Sequence, residues 1–240
     1  MSPSCLGFLS QALHDPGLAL VSLLALSVLM VNGWTDAPNA IATCVSTRAM
    51  SARSAILMAA VFNFLGVLVM TMVNASVAAT IYNMVDFGGN TADALTALCA
   101  ALVAIVAWAT AAWWFGIPTS ESHSLIAGLS GAAIAIQHGT GGINGAEWVK
   151  VLYGLVLSLV LGFGTGWVVC KIISFICRDM DRRRTNRFFG FAQIAGAAAM
   201  SFMHGAQDGQ KFIGVLFLGA AFAHGQNSVS GMEIPVWLML

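Results

Sequence analysis

A helix that crosses a bilayer needs about 20 mostly apolar residues, and this chain supplies such runs again and again. Leu18 to Val31 is apolar and continues, past a polar stretch, into Ala40 to Val45. Ala55 to Ile81, Ala92 to Phe115 and Val149 to Ile176 follow, with a shorter run from Leu125 to Ile136. Phe188 to Met203 and Phe212 to Ala223 flank another polar stretch, and a last run opens at Ile234 and reaches Leu240. The 240 residues are 58% apolar and only 8% charged, against about 25% charged in a soluble domain. Such a chain requires lipid as its solvent. The expected fold class is an all-α, polytopic integral membrane protein in the cell membrane.

The charges that remain are informative through their position. Ten basic and ten acidic residues cancel, so no global field favours nucleic acid as a partner. Arg48 and Arg53 lie between the first two runs, and Arg178, Arg182, Arg183, Arg184 and Arg187 cluster after the long run ending at Ile176. The segments Asn83 to Thr91 and Gln137 to Glu147 hold no Lys or Arg. The positive-inside rule then places the arginine loops in the cytoplasm and the other two segments outside. The N-terminus is outside if Ile117 to Ile136 crosses. No basic residue precedes the first apolar run, which speaks against a cleaved signal peptide. Cys5, Cys44, Cys99, Cys170 and Cys177 show no CxxC pair and no zinc spacing, and read as small apolar residues.

Three polar stretches sit inside apolar surroundings: Asn32 to Asn39, Gly116 to Ser124 and His204 to Lys211. Non-helical backbone at membrane depth is tolerated only inside protein or along a water-filled cavity, and ionisable residues there point to a functional site. The first and third stretches share Gly-x-x-Asp, as Gly33 with Asp36 and Gly205 with Asp208. A polar interruption repeated in two halves is a pointer to a transporter built from internal repeats. The halves are expected at 1–177 and 188–240, joined by a basic loop at 178–187. The second stretch places Pro118, Thr119, Ser120 and Ser122 at what looks like a helix start. Free backbone N–H groups and hydroxyls there suit an oxyanion. Simple capping of a helix N-terminus also accounts for each Asp and for these hydroxyls.

These residues resemble the inorganic phosphate transporter (Pit) family. Gly33-Trp34-Thr35-Asp36-Ala37-Pro38-Asn39-Ala40 is similar to its GANDVANA signature, Pro118, Thr119, Ser120 and His123 to its Pro-Thr-Ser-x-x-His signature, and His204, Gly205, Ala206, Asp208, Gln210, Ile213 and Gly214 to its HGANDVQNAIG signature. The resemblance runs from about Asn32 onward. It implies two inverted repeats with broken helices enclosing phosphate near the midplane, and symport with sodium or protons. Carried over, Thr119, Ser120, Asn39 and Gln210 are candidates for phosphate contact, with Ser122 added on its chemistry. Asp36, Asn39, Asp208, Thr35 and Gln207 are candidates for ion coupling, with a sodium ion at Asp36 and Asp208 as one option and no other cofactor expected. His123 and His204 fit packed, hydrogen-bonded roles. Phosphate, a coupling cation and membrane lipid are the expected partners, with a homo-oligomer left open.

The chain departs from the pattern in four places. Thr35 and Gln207 replace an Asn before each Asp but keep an oxygen. Lys211 stands where the signature has its second Asn, and Glu121 where a hydroxyl residue is common. Their opposite signs suggest a compensating pair, and a fixed ammonium could replace one bound sodium. Snorkelling of Lys211 to the interface is the competing reading. The second half lacks its own Pro-Thr-Ser signature before Leu240, so a chain truncated within the second repeat is expected. Three other functions remain in view. A sulfate permease would use the same helix termini, although phosphate, unlike sulfate, can donate a proton to Asp36 or Asp208. A non-transporting membrane subunit fits a truncated chain. An enzyme with Ser120 or Ser122 as nucleophile and His123 or His204 as base is disfavoured, because Ser122 and His123 diverge on a helix and no Gly-x-Ser-x-Gly elbow is present.

Overall fold

The polar residues at the ends of the apolar runs set where each helix begins. In the computed structural model, which describes residues 5–226, helix α1 spans Cys5–His14 and α2 spans Pro16–Thr35. The Asp15 carboxylate accepts from the backbone N–H groups of Gly17 and Leu18, and Pro16 starts α2 where a missing N–H costs nothing. A 3-10 turn, Ala37–Ala40, and a short helix α3, Ala42–Ser46, lead to α4, Ala52–Val73, capped by Ser51. Helix α5 is Ser76–Asn83, α6 is Thr91–Phe115 capped by Asn90, and α7 is Glu121–Gln137 capped by Ser120. Helix α8, Gly145–Ile176, starts at the cap Asn144, and α9, Arg182–Ala223, at the cap Asp181. Among the described residues there is no strand, only an isolated antiparallel bridge between Val85 and Ile143.

Among the described residues, four segments are long and apolar enough to cross a membrane: Pro16–Ala40, Ala52–Val73, Thr91–Phe115 and Gly145–Ile176. They coincide with four of the apolar runs. The bridge ties together the two segments that lack basic residues, and Gln137 donates its amide to the Asp86 carbonyl at 2.7 Å. Helices α6 and α7 are therefore an antiparallel hairpin, and the segments at the ends away from their connection are held at one level. Since α6 has 25 residues and α7 only 17, the connection between them must fold back along α6. It does: the Trp108 indole, within α6, donates to Thr119 at 3.0 Å.

The C-terminal half of α9 is the centre of the bundle. Phe212, Val215, Leu218, Ala221 and Phe222 are buried against Val21 and Val28 of α2, Leu98, Leu102 and Ile105 of α6, and Leu125 and Leu129 of α7. Helix α4 runs along α9 at unusually close range. A Cβ placed on Gly66 would lie 2.0 Å from the Phe202 carbonyl oxygen, and one on Gly205 would lie 2.1 Å from that of Asn63. Small residues at such crossings let two backbones approach. Helix α8, in contrast, has no buried residue.

Three sequence expectations change here. The stretch His204 to Lys211 does not interrupt the helix, because α9 is continuous for 42 residues, roughly 63 Å at 1.5 Å per residue. The other two stretches contain Pro38 or Pro118, and Gly116 takes the left-handed conformation at φ 66°. His204 to Lys211 has no proline, and Gly205 serves helix packing instead of a turn. Second, the run Ala55 to Ile81 is two helices, broken at Asn74, whose side-chain oxygen accepts from the Ser76 N–H at 2.9 Å. Third, the basic segment 178–187 is a turn only as far as Asp181 and is helical from Arg182. The apolar run from Ile234, with Glu233 before it and Pro235 inside it, lies outside the described residues.

The close crossing yields a prediction. Gly205→Ala should lower stability by about 1–3 kcal/mol through overpacking. Gly190→Ala on the same helix meets nothing within 4 Å and should leave the thermal unfolding of the detergent-solubilised protein unchanged or slightly improved.

Candidate functional site

Asp208 is 7% exposed, and a nitrogen donor reaches each of its carboxylate oxygens. On the same helix, three residues on, the Lys211 ammonium donates to Oδ1 at 2.6 Å. Asn32, in the last turns of α2, donates its side-chain N–H to Oδ2 at 3.1 Å. His204 Nε2, one turn earlier on α9, stands 3.3 Å from the same oxygen. The imidazole is fixed from its other side by Asn63 of α4, with Nδ1 at 2.8 Å from the Asn63 side-chain oxygen. Four residues from three helices thus enclose one carboxylate.

Asp36 closes α2 just beyond Thr35 and is more open. Its Oδ1 accepts from the Asn39 amide at 2.9 Å, and its Oδ2 lies 3.9 Å from His204 Nε2. Asp36, His204 and Asp208 each offer one ligand atom, all within 4.8 Å of one another. A cavity of about 380 Å³ reaches this cluster and is lined by Asn32, Gly33, Pro38, Asn63, His204 and Asp208.

The start of α7 meets the cluster from the other side. Glu121 is 2% exposed. Its Oε1 accepts from the Thr35 hydroxyl at 3.1 Å, while Oε2 has no hydrogen-bond partner. The next residue, Ser122, accepts from the Lys211 ammonium through its hydroxyl. Lys211 therefore joins the hydroxyl-bearing start of α7 to the carboxylate on α9. The neighbourhood holds three carboxyl groups, one ammonium and one imidazole, in a part of the chain surrounded by apolar helices.

The remaining sequence candidates separate. Thr119 and Ser120 line a second cavity of about 550 Å³, with Trp108, Pro118, His123 and Ser124. The Ser120 hydroxyl accepts from the His123 N–H at 3.5 Å, a capping contact. Gln210 is buried, donates to the Asn74 carbonyl at 2.9 Å, and leaves its side-chain oxygen unpartnered. Gln207 is exposed on α9, because adjacent helix positions point about 100° apart. Thr35, Asp36, Asn39 and Asp208 do converge. Glu121 and Lys211 do not form the expected ion pair: Lys211 is held by Asp208, which lies one helical turn away on the same face, and Glu121 by Thr35.

Two participants were not singled out by sequence. Asn32 and Asn63 supply the donor to Asp208 and the acceptor for His204. The available signal was an amide inside an apolar run, a costly placement that asks for a partner.

Residues 32–182 and 176–240 match the Phosphate transporter family. The chain belongs to that family. It is 36% identical over 219 residues to a protein of Bacillus subtilis named a probable low-affinity inorganic phosphate transporter, covering 91% of this chain and 64% of that protein. A Streptomyces halstedii protein of the same name is 37% identical over 201 residues, covering 80% of this chain and 90% of that one. The chain spans roughly half to two thirds of the length of most of these relatives. Among solved structures, one titled "The sodium-dependent phosphate transporter" superposes with a TM-score of 0.74 at 21% identity, over 94% of this chain and 72% of that one. That likeness establishes a shared fold. The phosphate transporter family and its named members are transporters rather than enzymes, which sets the serine-nucleophile reading aside.

The buried ion pair generates a double-mutant prediction. Lys211→Gln alone strands a buried carboxylate and Asp208→Asn alone strands a buried ammonium, so each should cost about 3–5 kcal/mol. Asp208→Asn with Lys211→Gln should recover most of that loss in chemical denaturation in detergent. Additive losses would show that the two charges are not coupled.

Proposed function

We propose that this chain carries the phosphate-handling part of a secondary active transporter of inorganic phosphate, coupled to sodium or protons and working by alternating access. The observation that carries the reading is the junction at Lys211. It brings the start of α7, whose first-turn backbone N–H groups and Ser122 hydroxyl suit an oxyanion, up to a cluster of buried carboxyl groups suited to a cation. Family membership and the printed names of the relatives support it independently.

In this reading Ser122 donates to the oxyanion and Asn39 stands near it, whereas Thr119 and Ser120, which line the second cavity, and Gln210, turned to the Asn74 carbonyl, join them only if α7 and α9 shift. Asp36 receives the coupling cation, with Thr35 and Asn39 turning their oxygens to it from their present partners Glu121 and Asp36. Gln207 belongs to this set only if α9 rotates, since its side chain now faces outward. Binding the cation lowers the cost of bringing phosphate next to carboxylates, so each ligand raises the affinity for the other. The arginine-bearing ends lie in the cytoplasm and the N-terminus outside. Sulfate fits the same hydroxyls less well, because near neutral pH phosphate can donate a proton to a carboxylate and sulfate cannot. The two halves expected from the repeated Gly-x-x-Asp supply α2 and α9 to opposite sides of the site.

Radiolabelled phosphate uptake into proteoliposomes, with sodium and proton gradients imposed separately, tests this. Uptake driven by one gradient, not competed by sulfate, is expected. Asp36→Asn should abolish the driven uptake, and Ser120→Ala should reduce it by about tenfold, the loss of a charge-assisted hydrogen bond worth ~1.5 kcal/mol. Folded protein that neither binds nor moves phosphate would instead favour a non-transporting subunit.

A further inference from the structure

Lys211 supplies the lysine ammonium of the site. Its ammonium lies 2.6 Å from Asp208 Oδ1 and also donates to Ser122 of α7. The second Asp208 oxygen receives the Asn32 N–H at 3.1 Å and faces His204 Nε2 at 3.3 Å. A mobile metal cation needs oxygen lone pairs directed at it. At Asp208 both oxygens already face nitrogen donors, and the positive ends of those dipoles repel a second cation. Asp36 differs. One of its oxygens accepts from a neutral amide, and the other stands 3.9 Å from the imidazole, beyond hydrogen-bonding distance. Its side chain is also about twice as exposed, 24% against 11% for Asp208.

We infer that the Lys211 ammonium is a tethered cation that permanently occupies the cation position at Asp208, leaving Asp36 as the carboxylate open to a mobile coupling ion. This rests on the transport reading for its meaning but not for its test. A tethered group acts at an effective concentration far above that of a dissolved ion, so Asp208 is neutralised whatever the sodium level outside. It also keeps α7 docked on α9 through Ser122 without consuming an ion from the gradient. The chain therefore takes up fewer mobile cations per cycle than its carboxyl groups would suggest.

The experiment is sodium-22 binding to the full chain in detergent, with choline as the inert replacement salt and no phosphate present. Lys211→Asn frees Asp208 and adds an amide oxygen, so it should bind an additional sodium ion per chain relative to the parent. Lys211→Asn combined with Asp208→Asn should return to the parent value. Unchanged sodium binding in folded Lys211→Asn overturns the inference. The charge-balanced Asp208→Asn/Lys211→Gln double variant guards against misfolding of the single one. It should keep the parent's sodium stoichiometry, and loss of a sodium site in it would mean that Asp208 serves a mobile ion, which also overturns the inference. Phosphate uptake is measured separately, so failure of the transport reading leaves the sodium count interpretable.

Discussion

Charge inside an apolar bundle has to be neutralised where it stands, and the pairing of Asp208 with Lys211 is how this chain meets that demand. The pair is internal to α9, one helical turn apart. It becomes a tertiary feature only through what it touches: Asn32 on α2, His204 held by Asn63 on α4, and Ser122 on α7. Desolvating two ions costs several kcal/mol each unless further hydrogen bonds complete their coordination. Helices α2 and α7 supply those bonds, and α4 fixes the imidazole beside them. The polar centre therefore specifies how α2, α4 and α7 sit around α9, while the apolar contacts of Phe212, Val215 and Leu218 provide the bulk of the burial.

The glycines of α9 belong to the same logic. Asn63 reaches His204 only because α4 lies against α9 at backbone distance, and that distance exists because Gly205 has no side chain to hold Asn63 away. A glycine one residue after the histidine looks, in sequence, like a helix breaker. In the folded chain it is what brings the histidine to its partner.

Much of this was legible in advance, and the failures have physical causes. Four spans could be read from length and hydropathy alone, and the start of α7 from Pro118 and Ser120. Asp36 and Asp208 stood out as carboxyl groups among apolar residues. The continuity of α9 was not legible, because Gly205 and Gly209 signal turns as readily as they signal close packing. Taking that stretch as broken let Gln207 and Asp208 both face the site, whereas a helix sends them apart. The partner of Lys211 was misjudged for a related reason: opposite signs in two distant stretches suggested Glu121, but the helical spacing of Asp208 and Lys211 is the stronger constraint. Asn32 went unassigned because it only opens the first polar stretch, ahead of its Gly-x-x-Asp, and Asn63 because a single amide in an apolar run has no motif around it. Their partners are 176 and 141 residues away, and only the fold brings them together.

The unbroken course of α9 has a mechanical consequence. His204, Asp208 and Lys211 ride on one rod, so their mutual spacing is preserved however that rod tilts. The groups that can be displaced relative to it are those borne by other elements: Asn32, Asp36 and Asn39 at the end of α2 and beyond, and Glu121 and Ser122 at the start of α7. Any such displacement makes and breaks contacts against a stiff axle: the Lys211–Ser122 hydrogen bond joins α7 to it, whereas the Asp208–Lys211 pair is part of the axle itself.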